Sequence, residues 1–152
     1  MENPLLELQE YENLQEALKK AKGPVQATGT LDSQKVHLMY WLGKDGGFPW
    51  KLVVTYDDQR AREIYDDFRS FTENVWLYPA KDLLFYSADI HGNLMTRQRI
   101  AVWRHLMEEK EGVVVTTLDG LMDHLLPLVF LKQQAVTVEN GQIMDLDEWK
   151  ER

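Results

Sequence analysis

The sequence predicts an α/β protein with a mainly parallel β-sheet and flanking helices. Three short segments, Lys51–Tyr56, Val75–Tyr78 and Gly112–Thr117, are almost continuously apolar, which is typical of parallel strands buried on both faces. The segments between them have apolar residues at helical spacing, so strands and helices alternate along the chain. This alternation favours a sheet that is covered by helices on both sides and joined by right-handed crossovers.

The first 22 residues are predicted to form a helix that packs on the following domain. Apolar residues recur at helical spacing over Pro4–Ala21, which begins with a proline and is followed by Gly23-Pro24, a combination that ends helices. A short apolar segment at Val25–Thr28 then predicts a strand. The pattern over Ser33–Leu42 predicts a second helix.

A loop rich in glycine and proline, residues 43–49, leads into the apolar run at Lys51–Tyr56. Asp57 or Asp58 can cap the next helix, which is predicted to extend to Phe71 because its apolar residues recur at helical spacing. The second apolar run follows directly. Strand, helix and strand therefore form a βαβ unit.

The second half of the chain continues this alternation up to about residue 127. A helix near Asn93–Glu109 precedes the third apolar run, and a short helix over Asp119–Leu125 follows it. The remaining predicted elements are a strand at Ala135–Val138, a turn at 139–142 and the start of a helix at 146–152. Because so short a helix requires a partner surface, we expect the sequence to be a piece of a longer protein.

Residues Gly29–Val36 lie where a nucleotide-binding α/β protein would have its phosphate-binding loop, between a predicted strand and a predicted helix. Such a loop reads G-x-x-x-x-G-K-[ST]: the glycines admit the phosphates, the lysine reaches them and the hydroxyl holds Mg²⁺. Here Gly29 and Lys35 are present, but Gln34 replaces the second glycine and Val36 replaces the hydroxyl residue. The pattern predicts a degenerate nucleotide site. The alternative is that Lys35 is an ordinary solvated lysine in the first turn of a helix.

Composition and charge disfavour several classes of protein. The 152 residues suit one domain with a substantial core, and no apolar run approaches the about 20 residues of a membrane-spanning helix. The net charge of −8, from 17 basic and 25 acidic residues, disfavours autonomous DNA binding. Cysteine is absent, which excludes disulfides and thiolate chemistry, and the N-terminus lacks the pattern of a secretory signal. A cytoplasmic location fits these features.

The polar residues predict neither a catalytic centre nor a metal site. The four histidines are too scattered to form a ligand set by spacing: His37, His91, His105 and His124. Asp57-Asp58 is explained by a helix cap. Clustered basic residues are interpreted as partners of helix dipoles: Lys19, Lys20, Lys22, Arg97, Arg99 and Arg104. Four tryptophans are predicted to pack in the core, whereas Trp149 could lie in a core or on a binding surface: Trp41, Trp50, Trp76 and Trp103.

Two stretches of the sequence resemble a known family. Tyr78–Ile90 together with Arg99–Ala101 resembles the pattern P-x-x-[DE]-x-L-x-Y … R-L, and Gly112–Pro127 is similar to GVVVTS…ALLQRLP. Both patterns are those of the N-terminal region of bacterial transcription-repair coupling factor, which is itself similar to the excision-repair protein UvrB. A degenerate loop at Gly29–Val36 is expected in that family too. The likeness covers nearly the whole chain.

The resemblance implies a RecA-like, P-loop NTPase-like half-domain over residues 23–127, preceded by the N-terminal helix at 1–22 and followed by the truncated beginning of a small α+β domain at 128–152. In this family the second domain recruits UvrA, and the UvrB-like module has no ATPase activity. Translocation on DNA with ATP and Mg²⁺, and binding to RNA polymerase, belong to regions of the parent protein that are absent here. The chain is therefore expected to be a non-catalytic scaffold without a cofactor or metal.

Two alternatives stay open at this point. The first is a nucleotide-binding domain in which Lys35 still contacts phosphate, so that ATP would stabilise the fold. The second is a generic α/β protein-interaction module that is unrelated to DNA repair.

Overall fold

The computed structural model describes residues 2–80 and 89–122, with side chains omitted for 89–94, and four isolated residues further on (129, 130, 133 and 141). A short 3₁₀ turn at Pro4–Glu7 precedes the other elements. The helices are α1 (Gln9–Lys20), α2 (Asp32–Asp45), α3 (Asp58–Arg69), α4 (Asp89–Glu108) and α5 (Leu118–Met122), and the strands are β1 (Trp50–Thr55), β2 (Val75–Tyr78) and β3 (Gly112–Thr117).

The three strands form one parallel sheet in the order β1-β3-β2. Strand β3 is central: Val53 of β1 lies opposite Val115, and Leu77 of β2 lies opposite the same residue on the other side. All six residues of β3 are buried. The predicted α/β class with a parallel sheet is therefore confirmed, and the last strand along the chain lies between the two earlier ones.

One face of the sheet packs against α2 and α3. The buried residues of this core cluster come from both helices and from two strands: Val36, Ala61, Ile64, Phe68, Val75, Val113 and Val115. Phe68, Val36 and Val115 are each exposed by 1% or less. The apolar residues of α3 recur every three or four positions and therefore share one face of the helix. This face packs against the strands.

The other face of the sheet packs against α4 and is rich in tryptophan. Val102 of α4 lies with Tyr78 and Val114 in a second buried cluster, against which Trp50, Trp76, Trp103 and Leu106 pack. The Trp50 and Trp76 rings, 5.6 Å apart at their centroids, meet across the central strand. Helices thus cover both faces, as the sequence predicts.

The bounds of most predicted elements are close to those observed. Strand β2 and strand β3 have the predicted limits, and the Asp57 carboxylate accepts a hydrogen bond of 2.7 Å from the Arg60 N–H, which confirms that Asp57 caps α3. The predicted first helix is split, because Leu8 is extended and separates the 3₁₀ turn from α1. The elements predicted at 135–138 and 146–152 lie outside the described residues.

The strand predicted at Val25–Thr28 is wrong. These residues have no regular secondary structure, and Gln26, Ala27 and Thr28 are exposed. The physical reason is that Val25 is the only large apolar side chain in the segment, so a strand here would bury little surface to offset the cost of ordering it. A helix therefore follows an irregular segment, and the strand, loop and helix arrangement of a phosphate-binding loop is not found in this part of the described chain.

The N-terminal segment is attached to the end of α2 through one carboxylate. Asp45 Oδ2 accepts hydrogen bonds from Asn3 Nδ2 at 2.6 Å, from the Tyr11 hydroxyl at 2.7 Å and from Gln15 Nε2 at 3.3 Å. Tyr11 and Asn3 are both buried. Hydrogen bonds to a charged acceptor are the stronger kind, so Asp45 fixes the position of α1 against the domain.

Replacing Tyr11 by phenylalanine is expected to reduce stability in a manner that depends on pH. Burial, and then the hydrogen bond to Asp45, raise the pKa of Tyr11 to about 12 from an ordinary value of 10.0. Because the folded pKa is the higher one, the contribution of Tyr11 is fully present below pH 10 and is lost as the pH rises from 10 through 12.

Urea unfolding of the wild type and Tyr11→Phe at several pH values measures this contribution. We expect the difference in the free energy of unfolding to shrink between pH 10 and 12, by at most about 1.4 kcal/mol per pH unit for one proton. Since both proteins have the same lysines, their alkaline titration cancels in the difference. A difference that stays constant over this interval would contradict the role of the Tyr11 hydroxyl.

Candidate functional site

The predicted phosphate-loop residues lie in and just before the first turn of α2. Gly29 has a left-handed backbone with φ of 82° and is exposed, five residues before Gln34. The Gln34 side chain accepts a hydrogen bond of 3.2 Å from the Leu31 N–H and so caps the start of α2. The Gln34 side chain thus occupies one backbone N–H group at the position where a phosphate loop would offer such groups to a nucleotide.

Lys35 is held by a carboxylate three residues earlier. Its ammonium group lies 2.9 Å from Asp32 Oδ1, and the Arg60 guanidinium approaches the same oxygen from α3 at 3.3 Å. Arg60 also contacts Glu63 at 2.8 Å and is only 18% exposed. Both of these cations beside the degenerate loop are thus paired with carboxylates of the chain itself.

These ion pairs shift the pKa values of both carboxylates in the same direction. The hydrogen bond from Lys35, and then the charge of Arg60, lower the pKa of Asp32, while the hydrogen bond from Arg60 lowers the pKa of Glu63. Both carboxylates therefore stay ionised near neutral pH. Asp32 is solvated, so this pair contributes little to stability and mainly keeps Lys35 occupied.

Val36 belongs to the core. Its side chain is 1% exposed and packs in the cluster between α2, α3 and the sheet. In a phosphate loop the residue at this position would direct a hydroxyl toward a metal ion. Here the side chain is buried in a cluster that includes valines of the sheet, which gives a physical reason for an aliphatic residue.

A groove of about 440 Å³ lies beside the degenerate loop, between α1, residues 26–30 and α2. Leucines of the N-terminal segment and of α2 form part of its wall, and Thr28, Thr30, Gln34 and His37 also line it. None of these lining residues is a lysine or an arginine. The groove therefore lacks the positive charge that recognition of a triphosphate requires.

The two parts of the family-like pattern around Tyr78 and Arg99 meet in space. Arg99 Nη1 donates a hydrogen bond of 3.1 Å to the Pro79 carbonyl, and its guanidinium lies over the Tyr78 ring at 4.4 Å. Arg99 is 7% exposed. The Tyr78 carbonyl in turn accepts a hydrogen bond of 2.8 Å from the Thr116 hydroxyl. This arrangement ties α4 to the carboxyl ends of β2 and β3 and gives the pattern a structural role.

The histidines of the described part of the chain have aromatic neighbours. His37 Nε2 accepts a hydrogen bond of 2.9 Å from Trp41 Nε1, and His37 stacks on Phe71. His105 stacks on Trp76 at 4.6 Å. Among residues whose side chains are described, no group of three potential ligands could hold a metal ion. The side chain of His91 and all of His124 lie outside that set, so the prediction for these two stays a prediction.

The described tryptophans follow the sequence-based interpretation, and Lys19 and Lys20 lie in the last turn of α1 as a role at the helix dipole predicts. The interpretation of the α4 arginines as helix-dipole partners is wrong, because none of them lies in the last turn of that helix. Trp41 is buried at 3% exposure, and the three tryptophans near the sheet pack against the second core cluster; Trp149 lies outside the described residues. The arginines of α4 do not form one basic face, since Arg99 is buried and Arg104 pairs with Glu108 at 3.4 Å. In the first helix Lys20 pairs with Glu16 at 2.7 Å.

Sequence reasoning missed Arg60 and Asp45. Arg60 lies 25 residues beyond Lys35 and reaches Asp32 only after α2 and α3 pack together. Asp45 collects three donors from the N-terminal segment, 30 to 42 residues earlier in the chain. The local sequence around a charged helical residue does not indicate partners so far away in the chain. Only the pairing of Asp32 with Lys35, three residues later, could have been predicted from helical spacing.

No helix within the described ranges is long and apolar enough to cross a membrane. No protein-family model matches the chain, and no solved structure matches it. The chain is 23% identical over 100 residues to the transcription-repair-coupling factor of Staphylococcus haemolyticus, strain JCSC1435, and to the proteins of the same name from Staphylococcus aureus strains USA300 and MW2. These matches cover 64% of this chain and 9% of each relative, so the chain is similar to a small part of transcription-repair-coupling factors.

Proposed function

We propose that the chain is a non-catalytic, UvrB-like scaffold domain that acts in transcription-coupled DNA repair by making protein contacts. The similarity to transcription-repair-coupling factors over 100 residues carries this proposal. Its parent would be an ATP-dependent DNA translocase that removes stalled RNA polymerase, and the scaffold would recruit UvrA through the domain that begins at about residue 128. The RecA-like relationship of the sheet is part of the same proposal.

The geometry around α2 supports a domain that does not use ATP. Lys35 is paired with Asp32, the Gln34 side chain caps α2, and Val36 is buried in the core. The segment before Gly29 is irregular where a phosphate-binding fold has a strand. Gln34 and Val36 thus have structural roles of their own, as expected if the fold serves as a platform.

The competing function is nucleotide binding through Lys35. It requires the ammonium group of Lys35 to leave Asp32, and this exposed pair contributes little to stability. The Lys35–Asp32 pair is therefore compatible with both the scaffold function and nucleotide binding, and a measurement of ATP binding separates them.

Calorimetric titration with Mg·ATP and then with a bacterial UvrA tests the proposal. We expect no heat from ATP, either with the wild type or with the double variant Gln34→Gly and Val36→Thr, which restores the lost loop residues. Because threonine at the second position would bury a hydroxyl and glycine at the first would remove a helix cap, the double variant should instead lose about 2 to 4 kcal/mol of stability. Binding of UvrA to the wild type is the expected positive result.

The variant Lys35→Ala is the control that shows whether any heat measured with ATP comes from binding to Lys35. Because the pair of Lys35 with Asp32 is exposed, this variant should keep nearly the stability of the wild type. ATP binding that disappears in this variant would overturn the non-catalytic part of the proposal and favour the nucleotide-binding alternative. Silence with UvrA would overturn the recruitment part and favour a generic interaction module.

A further inference from the structure

Asp45 and Gly46 form one of the two Asp-Gly pairs in the sequence, the other being Asp119-Gly120. An aspartate that precedes glycine is prone to isomerise, because glycine has no Cβ atom to hinder attack of its nitrogen on the preceding side chain. Asp45 is the last residue of α2 and Gly46 is its C-cap. In the folded chain, both of the groups that would react are already engaged in hydrogen bonds.

The first of these groups is the Gly46 nitrogen, whose N–H donates a hydrogen bond of 2.9 Å to the Leu42 carbonyl. The second is the Asp45 carboxylate, which accepts hydrogen bonds from three side chains of residues 3–15. Isomerisation requires the carboxyl carbon to meet the Gly46 nitrogen, so both sets of hydrogen bonds must break first. All of these contacts lie within residues 3–46, and they do not depend on how the sheet is continued elsewhere in the chain.

The attachment of α1 depends strongly on the same carboxylate. Tyr11 is the only buried residue of α1, whereas Leu8 and Leu18, on either side of it in the sequence, are 49% and 41% exposed. A groove of about 440 Å³ also lies between α1 and α2, so apolar packing between these helices is limited. A helix of 12 residues is marginal when isolated. We therefore expect local detachment of α1 to be the easiest opening that releases Asp45.

We propose that Asp45-Gly46 is a site of spontaneous isomerisation that is protected while Asp45 holds residues 3–15 and that reacts when these residues detach. In the reaction, the Gly46 nitrogen bonds to Cγ of the protonated Asp45 carboxyl. The proton of the N–H leaves with the hydroxyl of the carboxyl as water, and a five-membered succinimide forms. A second water molecule then opens the ring. Opening at the original backbone carbonyl leaves the chain running through the Asp45 side chain, as isoaspartate.

This reaction makes the release of α1 a one-way event. Isoaspartate has one more carbon in the backbone than aspartate and one fewer in its side chain, so its carboxylate no longer lies where the three donors converge. The Tyr11 hydroxyl then loses its acceptor, and a buried polar group without a partner is costly. Residues 3–20 therefore stay detached after the reaction.

Peptide mapping of the 152-residue chain during several weeks of incubation at constant temperature and pH tests the proposal. Isoaspartate is recognised by a shifted chromatographic retention at unchanged mass and by resistance to a protease that cleaves before aspartate. We expect Tyr11→Phe to raise the rate at Asp45 about tenfold, because loss of a hydrogen bond to a charged acceptor increases the population of the detached state. Asn3→Ala removes a second donor and should act in the same direction.

Asp119-Gly120 is the control within the same molecule. The Gly120 N–H donates a hydrogen bond of 3.1 Å to the Thr117 hydroxyl, a contact in which α1 takes no part. Its rate should therefore be the same in the wild type and in Tyr11→Phe. Phe68→Leu is the matched variant, because it weakens the core between α2, α3 and the sheet and should not accelerate Asp45 selectively. Asn140-Gly141 can form the same ring, but it releases ammonia and so changes the mass.

Amide hydrogen exchange measures the release itself. Exchange over residues 9–20 should increase with the isoaspartate fraction of the incubated wild type, while β3 stays protected. Circular dichroism checks that each variant is folded.

Three results would overturn the proposal. The first is equal acceleration of both Asp-Gly pairs in Tyr11→Phe, which would show that the reaction proceeds through global unfolding. The second is a rate at Asp45 that neither Tyr11→Phe nor Asn3→Ala increases, or no reaction in any of these proteins. The third is unchanged exchange of α1 in the isomerised protein, which would show that other contacts hold this helix.

Discussion

Replacing Phe68 by alanine is expected to lower the free energy of unfolding by about 3 to 5 kcal/mol. Phe68 is 1% exposed and is the largest fully buried side chain of the described residues. It lies on α3 where this helix faces β2, β3 and α2, so its ring fills the space between three elements. Removing it leaves a cavity in a tightly packed layer, and the surrounding valines are too short to refill it.

Urea unfolding followed by circular dichroism measures this loss, with Asp66→Ala as the control on the same helix. Asp66 is exposed, so its replacement should change stability by less than about 0.5 kcal/mol. Small domains have only about 5 to 15 kcal/mol of stability, so Phe68→Leu, with an expected loss of about 1.5 kcal/mol or less, provides a milder variant if the alanine protein does not fold. Equal effects of Phe68→Ala and Asp66→Ala would show that the layer of α2 and α3 is not the main core.

The strands that the sequence predicts correctly are those whose burial is written in the local pattern. Gly112–Thr117 and Val75–Tyr78 are almost continuously apolar, as expected for a central strand and for a strand that packs against helices on both faces. Asp57 is likewise a local signal, since a cap lies within three residues of the N–H that it accepts. The order β1-β3-β2 is not readable in this way, because the pattern of a strand does not specify its neighbours.

The incorrect prediction of a strand at Val25–Thr28 rests on a short apolar pattern and on its position before the degenerate loop. A phosphate loop would need a strand there, yet the segment has only one large apolar side chain. Because the segment is irregular, the structure does not provide the strand that a phosphate-binding loop requires. Lys35 lies in the first turn of α2, as the alternative interpretation of this lysine predicts.

The candidate site shows the same limit on sequence reasoning. The loss of the glycine and of the hydroxyl at Gln34 and Val36 is readable from the sequence, but the reason for each residue is not. Gln34 caps a helix and Val36 fills a core, and the second role depends on packing against α3 and the sheet. Arg60 comes from another helix to pair with Asp32, which requires the tertiary structure.

The resemblance around Tyr78 and Arg99 is consistent with a scaffold function. A buried arginine that bonds to a carbonyl and covers an aromatic ring is costly to leave unpaired, so both partners need each other. The contact fixes α4 at the carboxyl ends of two strands. A pattern of this kind identifies a fold that must hold its shape and does not by itself identify a reaction.

Replacing Gly112 by alanine is expected to lower the free energy of unfolding by about 3 kcal/mol, at the upper end of the usual cost of overpacking. A Cβ atom at this position would overlap the Trp76 ring and lie 2.8 Å from the Trp50 ring. Gly112 begins the central strand, where the backbone is hydrogen-bonded to Pro49 and cannot move aside without breaking the sheet. The two indoles must therefore separate.

Separation of the indoles gives this prediction a readout beyond stability, because tryptophan fluorescence should change. Gly23→Ala is the control, since no atom lies within 4 Å of the added Cβ there. In the double variant Gly112→Ala with Trp76→Leu, the smaller side chain makes room for the methyl group, so the two losses should be less than additive by about 0.5 to 3 kcal/mol. Strictly additive losses would mean that Gly112 is required for a reason other than the approach of the two rings.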